Sequence, residues 1–367
     1  MNYGSDESMM QLAISLAEKG KATTQPNPMV GAVIVKNAEI VGEGYHARIG
    51  EAHAEIRAIN HAGEKAKGGI LYVNLEPCSH HGKTPPCTDA IIDSGISRVV
   101  CSDLDPNPLV NGRGLHALKE SGIAVEEGIL KEKSKKLNEI YYKYITTGRP
   151  FVTLKMAQSL DGKITYQNMG RWISGALSRR VVHEMRSHHL SIMVGIGTVE
   201  ADDPLLNIRY AEFTSECRQP LRVIVDSTLR LKPDAALVKT ASLYPTAVFT
   251  GPDSGEEKAC ALRDRGIQVY IAPTGEDGKL DLHWILAELG KMEISSVLVE
   301  GGRELATSFI SHGLVDKVVL FLAPRIIGRG EGIGAGNTQP LLELKDIRAE
   351  EIDEDIMITG YPLRTGD

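Results

Sequence analysis

The sequence has no apolar run of the roughly 20 residues needed to cross a bilayer, and no excess of basic charge. Its 41 lysines and arginines face 48 aspartates and glutamates, a formal net charge of −7. That balance argues against a general electrostatic grip on nucleic acid and favours a small substrate, while leaving room for a local basic patch. The opening residues, Met1-Asn2-Tyr3-Gly4-Ser5-Asp6-Glu7, lack the basic start and apolar centre of a secretory signal. Cysteine is scarce, five in 367 residues; an odd, small count fits reduced thiols and a cytoplasmic location better than a disulfide framework. No tandem repeat, low-complexity segment or G-x-G-x-x-G dinucleotide fingerprint occurs. What is present is an ordinary globular composition, 42% hydrophobic and 24% charged, on a chain long enough for two cores.

The stretch from His53 to Cys87 carries the strongest chemistry. His53-Ala54-Glu55 is followed by a strand-like run and then by Pro77-Cys78 and Pro86-Cys87. One imidazole and two thiolates make a three-ligand zinc set whose fourth position stays open for water, the arrangement of a catalytic site; structural zinc takes four protein ligands, and no fourth is evident here. Glu55, two positions beyond the histidine, matches the proton shuttle of the H-x-E…P-C pattern of zinc deaminases and is not a ligand. Zinc lowers the pKa of bound water to about 7, and a single carboxylate can then move the protons. Residues i and i+2 do not share a helix face, so His53 and Glu55 converge only at a helix entry. A helical pattern does follow, from Ile56 to Ala62, with Gly63 behind it, and another follows Cys87 up to Gly95. Helix N-termini at the metal favour thiolates. The cysteine spacing departs from the usual C-x-x-C: a polar, turn-forming insert, Ser79 to Pro86, separates Cys78 from Cys87 and reads as a substrate loop.

Along the chain, Ser8 to Lys19 reads as an amphipathic helix with Asp6 as its cap, and Val30–Val35 with Ile40–Tyr45 as a hairpin. Ile70–Leu75 and Arg98–Ser102 are buried strands, Leu115–Glu120 a helix, Val125 the centre of a short strand, and Lys133–Tyr144 one long helix. Thr146-Thr147-Gly148-Arg149-Pro150 ends it and marks a boundary between residues 1–147 and 148–367. Strands are then expected at Phe151–Met156, Ser191–Val194, Arg222–Val225, Ala247–Thr250, Gln268–Ala272, Ser296–Val299 and Lys317–Leu322. Helices are expected near 176–187, 256–265, 281–290 and 303–312. Alternation of this kind means layered α/β domains, with ligands gathering beyond the carboxyl ends of the strands.

With His53-Ala54-Glu55, the run from Glu76 to Cys87 and Asp105-Pro106-Asn107-Pro108 in place, the first half resembles the pyrimidine deaminase domain of riboflavin biosynthesis. Ser159-Leu160-Asp161-Gly162-Lys163-Ile164, Val194 to Val199 and Val299-Glu300-Gly301-Gly302 make the second half resemble that pathway's reductase. The resemblance covers essentially the whole chain and implies a cytidine-deaminase-like three-layer αβα domain followed by a dihydrofolate-reductase-like α/β domain. It implies zinc-dependent hydrolysis of the 2-amino group of a diamino-pyrimidinone ribosylamino phosphate, then NADPH-dependent reduction of the ribosyl chain to ribityl. On matching positions, Asn27, His46, His80, Lys83, Asp105 and Asn107 would contact the deaminase substrate. Lys155 would act in reduction, polarising the opened sugar imine, with Gly170, Arg186, Leu206, Arg209 and Glu300 toward the substrate. Arg186 and Arg209 are the candidate phosphate partners. Ala157, Trp172, Thr198, Asp202, Ser227, Gly301, Gly302 and Arg303 would contact the cofactor.

Plainer readings stand beside these. Asn27 and Asn107, each before a proline, are natural turn residues, His46 suits a core, and Arg186 with His188 and His189 suits a helix C-terminus. Tyr166 to Arg171 is a polar departure that leaves the contact at Gly170 open. Competing functions are a deaminase of a nucleotide or transfer-RNA adenosine with a C-terminal binding module, and a silent zinc scaffold. The acidic balance and long cysteine loop oppose the first, and the intact Glu55 opposes the second. A homo-oligomer is expected, its number unspecified.

Overall fold

The structure, a computed structural model, describes residues 5–79, 85–164, 172–214, 217–275, 277–333 and 342–363. The chain divides into two compact units, Met1–Gly148 and Arg149–Asp367.

The first unit runs α1 (Asp6–Glu18), β1 (Gly31–Lys36), β2 (Glu39–Tyr45), α2 (Ala54–Ala62), β3 (Ile70–Val73), α3 (Cys87–Asp93), β4 (Arg98–Cys101), α4 (Arg113–Glu120), β5 (Ala124–Glu127), α5 (Lys131–Leu137) and α6 (Glu139–Thr147). Its sheet has the order β2-β1-β3-β4-β5, with β1 antiparallel to both neighbours and β3, β4 and β5 parallel. Because side chains alternate across a strand, β1 feeds two cores. Ala32 and Ile34 pack with Ala54 and Ala58 of α2, Ile91 of α3 and Leu118 of α4. Val33 and Val35 pack with Met9, Met10 and Ala13 of α1. Both faces being covered explains why the run reads as continuously apolar. Gly44 lets α2 lie close against β2: a Cβ there would sit 2.4 Å from the Ala54 carbonyl oxygen. That contact sets the height of the first turn of α2, where the metal residues begin.

The second unit runs β6 (Phe151–Ser159), α7 (Ala176–Ser187), β7 (Ser191–Gly195), α8 (Ile196–Asp202), α9 (Ala211–Thr214), β8 (Leu221–Val225), α10 (Ala236–Lys239), β9 (Thr246–Thr250), α11 (Glu256–Arg263), β10 (Gln268–Ile271), α12 (Leu282–Lys291), β11 (Ser296–Val299), α13 (Arg303–Ser311), β12 (Lys317–Ala323), β13 (Leu344–Ile352) and β14 (Asp355–Pro362). The nine strands lie in the order β10-β9-β8-β7-β11-β6-β12-β14-β13, parallel from β10 to β12 and antiparallel thereafter. One face buries Leu154, Val223, Phe249 and Val297 against α12 and α13, the other Ile192, Ile224 and Val248 against α8, α10 and α11.

Three sequence readings are corrected. Ser5, not Asp6, caps α1, its side chain accepting from the Ser8 N–H at 3.2 Å; Asp6 instead accepts from Tyr72 and Arg98. The helix expected over 133–144 is two helices broken at Asn138. The Asn138 side chain turns inward to accept from Met29 N–H at 2.7 Å and donate to Met29 O at 2.9 Å, a local alternative to the helical ladder that asparagine offers. The β13–β14 hairpin was not foreseen: β13 is an edge strand whose six residues 346–351 are exposed, so it carries no apolar alternation to read.

Candidate functional site

Each unit presents a constellation of its own. In the first, the carboxyl end of β3 runs on as Asn74-Leu75-Glu76-Pro77-Cys78, and its polar residues each hold a different wall. Asn74 accepts from Gly31 N–H at 2.8 Å and donates to Met29 O at 3.1 Å, fixing the loop that follows Asn27. Glu76, buried, accepts four backbone N–H groups: Asp105 at 3.1 Å, Gly112 at 2.8 Å, Gly114 at 2.8 Å and Leu115 at 3.2 Å. It thereby caps α4, whose own N-cap, Gly112, has no side chain to do so, with a carboxylate placed where the helix dipole favours one. Cys78 supplies a sulfur.

His53 is the N-cap of α2 and Cys87 the first residue of α3. Their donor atoms and Cys78 Sγ all lie within 4.8 Å of one another. His53 Nδ1 is 3.2 Å from Cys87 Sγ and 3.6 Å from Cys78 Sγ. Tetrahedral zinc, with nitrogen at about 2.0 Å and sulfur at about 2.3 Å, sets those atoms about 3.6 Å apart, so the set fits the ion and does so through Nδ1. The hydrogen bond from Cys87 pulls the Cys78 thiol below the usual thiol range, and donating that bond holds Cys87 up. Glu55, in the first turn of α2, is buried and its Oε2 has no hydrogen-bond partner among the described residues. Burial first, then the Cys78 charge, pushes its carboxyl up to about 7.

Asn27 Nδ2 lies 3.4 Å from His46 Nε2, and His46 Nδ1 3.4 Å from Ala52 O. Since the amide nitrogen can only donate and the carbonyl only accept, this pairing puts the His46 proton on Nδ1. Burial lowers the His46 pKa, and its ring stands edge-on to His53 with centroids 5.4 Å apart. Asp105 is buried, accepting from Tyr141 O–H at 2.8 Å and Asn107 N–H at 2.8 Å. Asn107 Oδ1 accepts from Leu109 N–H at 3.0 Å, so the turn chemistry open to that residue is used. His80 and Lys83 lie outside the described residues, as does Gly170 of the second unit.

In the second unit a cleft of about 1240 Å³ opens at the carboxyl ends of β6, β7, β8 and β11. Lys155, Arg186, Leu206, Arg209 and Glu300 line it, and so do Ala157, Trp172, Thr198, Asp202, Ser227, Gly301, Gly302 and Arg303. Arg186 is not left open to a ligand. Its Nε and Nη2 donate to Glu300 at 2.6 and 2.9 Å and its Nη1 to Asn207 O at 3.0 Å, a buried bidentate pair. Burial pushes Glu300 up, but the charge and hydrogen bonds of Arg186, with Lys155, outweigh it and leave the carboxyl low. Lys155 makes no hydrogen bond among the described residues; its ammonium lies over the Phe321 ring, 5.7 Å from the centroid, and burial lowers its pKa. At β11 and β7, Gly302 N–H donates to Thr198 Oγ1 at 2.9 Å, tying the first turn of α13 to that of α8.

Sequence reasoning missed Glu76, Asn74 and Tyr141 in the first site and His183 in the second. His183, on α7 one turn before Arg186, accepts from Arg209 Nη2 at 3.2 Å and stacks edge-on to Tyr210 at 5.0 Å. Burial, then the charges of Arg186 and Arg209, push it down to about 4. The one available signal was its i, i+3 spacing from Arg186. For Glu76 the signal was only its place beside Pro77-Cys78.

Comparison with known proteins follows this division. Residues 4–103 match the family described as the cytidine and deoxycytidylate deaminase zinc-binding region, and residues 150–358 the RibD C-terminal domain. The riboflavin biosynthesis protein RibD of Aquifex aeolicus is 44% identical over 96% of this chain and 97% of its own. That of Escherichia coli is 42% identical over 88% and 89%. Among solved structures, Acinetobacter baumannii RibD superposes with a TM-score of 0.87 at 36% identity, covering 98% of this chain and 99% of that one. A diaminohydroxyphosphoribosylaminopyrimidine deaminase/5-amino-6-(5-phosphoribosylamino)uracil reductase from Thermotoga maritima does so with a TM-score of 0.84 at 37% identity, covering 99% and 100%.

Proposed function

The chain belongs to the RibD family of riboflavin biosynthesis proteins, and from that premise we propose how its two constellations divide two consecutive reactions. It is a bifunctional enzyme, a zinc-dependent deaminase and an NADPH-dependent reductase. We assign the first activity to residues 1–147 and the second to 148–367. The substrate is 2,5-diamino-6-ribosylamino-4(3H)-pyrimidinone 5′-phosphate; its 2-amino group is exchanged for oxygen, and the ribosyl chain is then reduced to ribityl. The observation that carries this reading is the His53–Cys78–Cys87 cluster with the unpartnered Glu55 oxygen beside it.

In the deaminase, zinc when bound supplies an activated water. Glu55 takes the proton that water loses, delivers it to the ring nitrogen, and returns a proton to the departing amine, so that C2 gains oxygen and ammonia leaves. Asn27, oriented through neutral His46, addresses the ring's donor and acceptor edge, and His80, Lys83, Asp105 and Asn107 complete the substrate wall.

In the reductase, NADPH when bound would supply the hydride that reduces the opened sugar imine. Lys155, desolvated beside Glu300, polarises that imine and holds a proton for the nitrogen. The Arg186–Glu300 pair fixes the carboxylate, which leaves Arg209 as the better phosphate partner. Gly301 and Gly302 lead into Arg303 and α13, a helix N-terminus of the kind that suits a pyrophosphate. Gly170, Leu206, Ala157, Trp172, Thr198, Asp202 and Ser227 are placed along the same cleft. We propose a small phosphorylated pyrimidine as the partner and a cytoplasmic homo-oligomer as the enzyme; among the described residues no helix is long and apolar enough to cross a membrane.

Mass spectrometry of this substrate with the zinc-loaded protein tests both halves. Deamination alone, then reduction only when NADPH is added, is expected. In Glu55→Gln, zinc is kept, deamination falls by at least about 10²-fold, and reduction of the deaminated compound persists. Loss of zinc or of both activities in that variant refutes the assignment of Glu55.

A further inference from the structure

We propose that Gln219 is a positioning residue for the reduction, fixing the backbone of Ile208 so that Arg209 is held toward the substrate's phosphate. This rests on Arg209 being the phosphate partner, as read above, and adds what holds it there. Leu205 to Arg209 follow α8 and belong to no helix or strand, and Leu205, Leu206 and Arg209 line the cleft. Leu206, Asn207 and Ile208 are buried, so the backbone groups of this strap need partners. Side chains supply them. Arg222 of β8, itself fully buried, donates through Nη1 to Leu205 O at 3.2 Å, and Arg186 donates to Asn207 O at 3.0 Å. Gln219 serves both backbone groups of Ile208: its Oε1 accepts from the Ile208 N–H at 2.9 Å and its Nε2 donates to Ile208 O at 3.0 Å. Amid these grips Leu206 stands at φ 47°, a conformation that a leucine adopts only under constraint.

Gln219 is itself anchored to the sheet. Pro220 follows it, which biases Gln219 toward extended backbone, and Leu221 then opens β8 with its N–H on Leu190 O at 2.9 Å. An amide carries one acceptor and two donors, so one side chain can serve the N–H and the C=O of a residue as a neighbouring strand would. Arg209 comes next after Ile208 and goes where that amide sends it. From there the guanidinium is steadied by two acceptors, Nη1 donating to Asn207 Oδ1 at 3.2 Å and Nη2 to His183 Nε2 at 3.2 Å. Without Gln219 both groups of Ile208 lose their partners and the strap shifts to find others. A misplacement of about 1 Å is enough to cost an oriented contact about 10²-fold. Arg222 and Arg186 grip the same strap, but Arg222 also ties β8 to Thr246 of β9 and Arg186 also pairs with Glu300. Gln219 is therefore the grip whose loss separates positioning from folding.

Steady-state reduction of the deaminated compound by the zinc-loaded protein, at saturating NADPH, is compared for the 5′-phosphate and its dephosphorylated form. The wild type is expected to prefer the phosphate by about 10- to 100-fold in kcat/KM, and Arg209→Gln to lose most of that preference. Gln219→Met, close in length but without the amide, should raise KM for the phosphate about 10-fold, with kcat and the dephosphorylated reaction changed less than about threefold. Added to Arg209→Gln, it should cost less than about twofold more, because the two residues act through one contact. Gln219→Glu keeps the acceptor for the Ile208 N–H and should show a smaller rise of the same kind, which carries the test where the methionine variant unfolds. A fall of equal size on both compounds, or a full additional loss in Arg209→Gln, overturns the positioning role while leaving Arg209 as the phosphate partner. A wild type indifferent to the phosphate, or a preference kept in Arg209→Gln, overturns the role of Arg209 and this inference with it.

Discussion

Replacing Glu76 by alanine removes a buried carboxylate on which four backbone N–H groups converge. Three of those donors, on Asp105, Gly114 and Leu115, belong to buried residues, out of reach of bulk solvent. Leaving a buried donor unsatisfied costs about 1–3 kcal/mol, and loss of a helix cap costs about 1 kcal/mol. Taking the low end for each donor, the first unit should lose about 3–4 kcal/mol. Glu76→Gln keeps one acceptor but turns an NH₂ toward amide donors, so about half that loss is expected. Urea unfolding measures it. Both tryptophans, Trp172 and Trp284, belong to the second unit, so tryptophan fluorescence follows that unit while circular dichroism follows both. With a slope near 2 kcal/mol per M, the dichroism transition of the first unit should fall by about 1.5–2 M in Glu76→Ala against an unmoved fluorescence transition. Deamination should fall too, because the same carboxylate holds the Asp105–Asn107 turn against the Cys78 strand end. A shift under about 0.3 M would mean that the four hydrogen bonds are not holding the site together.

Arg186→Ala should destabilise the second unit by about 3 kcal/mol, because it leaves Glu300 buried without its bidentate partner; adding Glu300→Gln should recover part of the loss, read from the fluorescence transition in urea. Gly31→Ala should cost the first unit about 2–3 kcal/mol, since its Cβ would stand 2.0 Å from Ala13 O and 2.7 Å from Ala17 N and α1 would have to move; the dichroism midpoint reports it. His183 titrates near 4 when folded, against about 6.5 when unfolded. The unfolded chain therefore binds the extra proton between those values, and the stability due to neutral His183 is complete above about pH 6.5 and lost as pH falls toward 4. His183→Gln should flatten that part of the pH profile, measured as the difference in urea midpoint between pH 7 and pH 4.5; an unchanged slope would refute the burial argument.

What could be read from the linear sequence was local. His53-Ala54-Glu55 and the two Pro-Cys pairs declare a metal set because His53 and Cys87 stand at helix starts and Cys78 beyond a strand end, all specified by their own neighbours, and the α/β layering of both units follows from short apolar runs alternating with helical periods. Of the residues drawn from resemblance, His46 stands against His53 and the described ones of the second unit line one cleft, since a motif carries its place in a fold along with its residue types. The sequence was silent wherever the partner is distant. Nothing near Glu76 says that its carboxylate will cap a helix beginning at residue 113, and nothing near Arg186 says that Glu300, 114 residues on, will take its guanidinium. Asn138 breaks a helix for the sake of Met29, and the β13–β14 hairpin is held by pairing with β12 rather than by an apolar pattern of its own. Local periodicity is encoded by neighbours a few residues apart and survives in any fold that uses it. A buried charge or a bent helix is settled only when packing decides which group loses its water and what stands ready to replace it.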